Sequence, residues 1–168
     1  MTLTRSILSG LALTTMLGLA QTANAAIMHF SVPLSGAQEV VMGDSDGMGI
    51  ANLYIDDVAL TIDWNITVSD ILLPLSGAHI HAAAAGANGP LVVNFNAQLT
   101  GTNLADMDLA SILANPSDYY INLHNTEFLT GALRGQMSAA AVPEPTTLAL
   151  LGLGIAGLLW RRRTPTSV

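Results

Sequence analysis

The 168-residue chain contains no cysteine and no lysine. The first absence excludes a disulfide framework, a zinc knuckle and a thiol nucleophile, so packing and hydrogen bonds must hold the fold. The second leaves arginine as the only permanent cation, and nearly all of it lies at the ends: Arg5 near the start, Arg161, Arg162 and Arg163 near the finish, Arg134 alone between them. Eleven of the twelve acids fall between Ala26 and Val142, which gives that stretch a net charge of about −10. A surface of that sign repels phosphate backbones and anionic lipid headgroups; it excludes nucleic-acid binding and peripheral membrane docking, and makes cations the natural counterpart. Hydrophobic residues reach 51%, but two terminal runs inflate the figure, and about 115 residues between them remain for one domain.

Residues 1–25 combine Arg5, an apolar stretch from Ile7 to Ala20 and the small-residue site Ala23-Asn24-Ala25. This is the pattern of a secretory signal peptide cut by signal peptidase before Ala26. At the other end Pro143-Glu144-Pro145 precedes an apolar run ending at Trp160, then Arg161-Arg162-Arg163. The two prolines forbid helix through the triplet. Residues 146–160 as a helix would span about 22 Å, short of the ~30 Å hydrocarbon core but sufficient with Trp160 at the interface and local thinning. The arginines then stay cytoplasmic. Triplet, helix and arginine cluster over 142–163 resemble the PEP-CTERM sorting signal. That resemblance implies recognition by an exosortase, which cuts near the triplet; a permanent C-terminal anchor is the alternative, and the domain faces outward in either case.

Between 26 and 141 the pattern is short alternating runs separated by turn-rich patches. In 59–68, Leu60, Ile62, Trp64, Ile66 and Val68 alternate with Thr61, Asp63, Asn65 and Thr67, the signature of a half-buried strand. Further strands are expected at 29–34, 49–55, 78–82, 91–97, 119–124 and 132–138. Seven such strands make an all-β antiparallel sandwich. Asp44-Ser45-Asp46-Gly47 reads as a turn, and Gly86-Ala87-Asn88-Gly89-Pro90 as another. One short helix is expected over 104–113, after Thr102-Asn103 and with Asp106 and Asp108 in its first turns.

Four segments resemble the CHRD domain in order and spacing: Leu34-Ser35-Gly36-Ala37-Gln38-Glu39, Ala78-His79-Ile80-His81, Tyr120-Ile121-Asn122-Leu123-His124 and Gly131-Ala132-Leu133-Arg134-Gly135-Gln136. Val40-Val41, Ala82 and Ala132 depart from the family's usual residues but leave its histidines, Glu39 and Arg134 in place. The resemblance implies an immunoglobulin-like β-fold and an extracellular setting, with no enzyme activity attached.

Strand alternation puts His79 and His81 on one face, Tyr120, Asn122 and His124 on another, and Arg134 with Gln136 on a third, each opposite apolar neighbours. If these strands are adjacent, the polar residues line one patch. Two readings follow. A polar structural network would bond the imidazoles to backbone carbonyls and pair Arg134 with Glu39, joined by Asn122 and Gln136. A metal site would use His79, His81 and His124 to hold copper or zinc with one position open. This second arrangement resembles in part the copper end of copper-zinc superoxide dismutases. No serine or cysteine stands in a nucleophile motif. The reading is a non-catalytic module of the cell surface or extracellular matrix that meets a surface polysaccharide or matrix component. A histidine-coordinated metal protein, storing copper or acting on reactive oxygen, is the alternative.

Overall fold

The computed structural model describes residues 25–139. Residues 1–24, which hold all but the last residue of the expected signal peptide, and the tail with Pro143, Glu144, Pro145 and Arg161 to Arg163, lie outside the described residues. Eight antiparallel strands form one curled sheet: β1 (Ile27–Ser35), β2 (Met48–Asp56), β3 (Thr61–Ser69), β4 (Gly77–Ala82), β5 (Leu91–Asn94), β6 (Thr100–Ala105), β7 (Tyr119–His124) and β8 (Leu133–Gln136). Their order across the sheet is β5-β4-β7-β8-β1-β2-β3-β6. β1 and β2 pair along their whole length, but β1 meets β8 only at Ser35 opposite Arg134. The sheet turns at this narrow join, and its two four-stranded halves close on each other as a sandwich.

Alternation decides what lies between the halves. Phe30, Val32 and Leu34 of β1, Leu53 and Ile55 of β2, and Ile62, Trp64 and Ile66 of β3 meet Ile80, Val93, Ile121, Leu123 and Leu133 from the other half in one buried core. Trp64 and Phe95 tie the halves together, stacked with centroids 4.5 Å apart. The indole N–H donates to the Gln98 carbonyl at 2.9 Å, so the ring is buried with its one polar atom bonded.

β6 takes Leu104 and Ala105, the first two residues of the expected helix. The helix α1 runs only over Leu109–Ala114, and residues 100–105 pair with β3 instead. Two contacts explain the correction. The outer edge of β3 needs partners for its backbone groups, and Gly101 lets a strand lie against the Trp64 ring where a Cβ would collide with it. Asp106 then accepts the Asp108 N–H at 2.9 Å, a local turn that delays helix entry until Leu109. The expected strand over 91–97 likewise ends at Asn94, whose side chain accepts the Asn96 N–H at 2.7 Å while Asn96 and Ala97 take positive φ.

Candidate functional site

β4 and β7 run side by side with Gly77 opposite His124, His79 opposite Asn122 and His81 opposite Tyr120. The period of two places all of these on the face away from the sandwich core. β8 continues the row, with Arg134 opposite Asn122 and Gln136 opposite Tyr120. The three histidines therefore converge: ring centroids lie 5.5 Å apart for His79 and His81, 5.2 Å for His79 and His124, and 6.2 Å for His81 and His124. One nitrogen from each lies within 4.8 Å of the other two. Gly77 makes this possible, because a Cβ there would sit 2.7 Å from His79 Cε1 and 3.1 Å from His124 Cδ2.

Backbone carbonyls orient two of the rings. His81 Nδ1 donates to the Gly89 carbonyl at 3.0 Å, and His124 Nδ1 donates to the Leu129 carbonyl at 3.1 Å. A carbonyl can only accept, so the proton belongs on Nδ1 and the lone pair on Nε2 in both residues. Those two Nε2 atoms, together with His79 Nδ1, are buried and lack any hydrogen-bond partner among the described residues. Burial pushes the His79 pKa down from 6.5 to about 4, with smaller contributions from His124 and His81 nearby. Burial also lowers His81 and His124, against the opposing pull of their carbonyl partners. At neutral pH the cluster thus presents uncharged imidazoles with free lone pairs.

Half-buried at the three histidines, the patch is covered over Arg134 and Tyr120. Arg134 is only 1% exposed and Tyr120 2%. The loop over 83–90 folds across them: Arg134 donates to the carbonyls of Ala84 (3.2 Å) and Ala87 (2.8 Å), to Asn88 Oδ1 (3.3 Å) and to Gln136 Oε1 (3.0 Å). Its guanidinium also lies 3.5 Å from the centroid of the Tyr120 ring, on which His81 stacks at 5.1 Å. Gln136 Nε2 bonds the carbonyls of Ala83, Ser117 and Tyr119. The expected Arg134–Glu39 pair is not formed, because the loop carbonyls take the guanidinium first. Glu39 instead accepts from Asn122 Nδ2 at 3.5 Å, leaving Glu39 Oε1 and Asn122 Oδ1 without partners. Burial raises the Glu39 pKa from 4.5 to about 7, against the lowering influence of Asn122 and Arg134. Gly131, at φ +142, leaves the room that this carboxyl occupies. His29 stands apart on β1, stacked on Tyr54 at 4.6 Å and bonded to Asn52.

Every sequence-expected residue of the patch is therefore in one place, but its closure was missed. Gly77 and the capping carbonyls of Ala84, Ala87, Gly89 and Leu129 carry no chemical side-chain signal; only the glycine- and asparagine-rich stretch 86–89 hinted at a loop able to approach so closely.

The CHRD domain family model matches residues 30–137, which hold all eight of these polar and aromatic positions from Glu39 to Gln136. The chain belongs to the CHRD domain family. A second match, to the PEP-CTERM protein-sorting motif, covers residues 141–163. No curated protein and no solved structure matches the chain. The PEP-CTERM motif makes this CHRD protein an exported one, held at its C-terminus in the membrane before exosortase processing. The CHRD match itself carries no reaction, and what its polar layer does has to be argued from the residues.

Proposed function

We propose that this CHRD domain is a non-catalytic module of the cell surface or extracellular matrix that associates with a surface polysaccharide or matrix component. The observation that carries this reading is the fate of Arg134. It is the one permanent cation between Ala26 and Val142, and it is buried beneath the 83–90 loop, so the solvent-facing charges of the domain are carboxylates alone. Such a surface stays soluble and meets anionic or neutral glycans through bridging cations rather than through direct ion pairs. The residues shared with the family support the same reading: Arg134, Gln136 and Tyr120 clamp loops onto the sheet. They give the module a rigid form.

The test is cosedimentation of the exported protein with polysaccharide isolated from the same envelope, with calcium present and after chelation. Retention with calcium, loss on chelation and unchanged glycan chain length are expected. Depolymerised glycan would overturn the non-catalytic reading, and no retention under either condition would overturn the partner.

A further inference from the structure

Beneath the loops that make the module rigid lies a set of atoms that rigidity does not explain. Five buried side-chain atoms lack partners among the described residues: His79 Nδ1, His81 Nε2, His124 Nε2, Asn122 Oδ1 and Glu39 Oε1. All five belong to one patch of β4, β7 and the segment after β1. A structural polar network satisfies its members, since an unpaired buried acceptor costs about 1–3 kcal/mol. Here the network closes around Arg134 and Gln136 and stops at the imidazoles.

We propose that His79, His81 and His124 form a binding site for copper(II) or zinc(II), with three imidazole nitrogens as protein ligands and a fourth position left for water. Three features of the geometry support it. The donor atoms come within 4.8 Å of one another, a spacing that small rotations about the side-chain bonds bring to a single ion. The outer nitrogens of His81 and His124 are fixed by the Gly89 and Leu129 carbonyls, the arrangement that orients metal-ligating histidines and settles their tautomer. Gly77 keeps the space between His79 and His124 open. The donor set also selects the ion: three imidazoles suit copper or zinc, whereas calcium and magnesium demand oxygen cages. The orphaned oxygens of Asn122, directly across the ladder from His79, and of Glu39 are acceptors of the kind a metal-bound water needs. Arg134 does not block the ion, because its guanidinium is turned onto the Ala84 and Ala87 carbonyls and the Tyr120 ring.

The test uses the full-length chain in detergent, stripped with a chelator and titrated with copper(II) or zinc(II) in a non-coordinating buffer at neutral pH. One equivalent should bind, and the copper(II) complex should show imidazole nitrogen hyperfine structure by electron paramagnetic resonance. His79→Gln and His124→Gln should each weaken binding on the order of 100-fold or more, since loss of an outer hydrogen bond alone costs 10–100-fold. His29→Gln should leave affinity unchanged, because His29 is stacked on Tyr54 elsewhere on the sheet. A natively folded parent chain that binds neither ion would overturn the site, as would binding that survives both substitutions, that disappears with His29, or that shows oxygen ligands only. Should the cluster variants fail to fold, the spectrum of the parent chain decides alone. The surface-module reading stands or falls separately, on glycan retention.

Discussion

Replacing Glu39 with glutamine should make stability rise more steeply with pH between about 5 and 7 than it does in the parent chain. Burial keeps the Glu39 carboxyl protonated up to about pH 7, against 4.5 for an unperturbed one. Between those values the folded chain holds a proton that the unfolded chain has lost. The carboxyl's stabilising contribution is therefore complete below about 4.5 and disappears as pH climbs through 7. His79 has the opposite sign. Its pKa is lowered from 6.5 to about 4, so in that window the unfolded chain binds the extra proton, and stability is lost as pH falls. His81 and His124, shifted the same way, add to the loss on the acid side. In the parent chain the carboxyl offsets part of the histidine slope; in Glu39→Gln that offset is gone. A displacement the size of Glu39's corresponds to roughly 3 kcal/mol when complete. Partial burial and solvent screening reduce it to about 1–2 kcal/mol across this range. Urea unfolding near pH 5 and near pH 7, with chelator present, gives the stability difference for each chain, and the difference should be larger in Glu39→Gln by that amount. Equal differences would refute the claim that burial keeps this carboxyl neutral in the folded chain.

Gly77→Ala should push the His79 and His124 rings apart, destabilising the metal-free chain by about 1–3 kcal/mol in urea unfolding; an unchanged midpoint would show that the cluster is looser than its distances imply. Arg134→Met should cost about 3–5 kcal/mol, because the Ala84 and Ala87 carbonyls lose a charged donor under the loop, and limited proteolysis should then cut within 83–90. Phe95→Ala removes the ring stacked on Trp64 and should cost about 3–5 kcal/mol, with a shift in tryptophan emission as water reaches the indole.

Much of the fold was legible because alternation is a local property. The β3 pattern from Leu60 to Val68 declares its buried face without reference to any neighbour, and β7 occupies the expected 119–124. The residues of the polar layer were legible for the same reason: side chains two apart on a strand share a face. β6 was not legible, since residues 100–105 have no alternation of their own and become a strand only by completing the edge of β3. The helix signals at Asp106 and Asp108 were real but local, and the turn at Asp106 with the tertiary pairing before it moved the start to Leu109.

By itself the sequence determined the acidic, cysteine-free character of the domain, its sorting signal at the C-terminus, its all-β class and the set of polar residues turned away from the core. Each follows from residue type or from spacing along the chain, which needs no knowledge of contacts. Only the tertiary structure decided that β4, β7 and β8 are adjacent, that the 83–90 loop covers Arg134 and Tyr120, and that three imidazole nitrogens face one another with no hydrogen-bond partner among the described residues. Those facts depend on strand order and on backbone carbonyls arriving from distant loops, and carbonyls are the same at every residue.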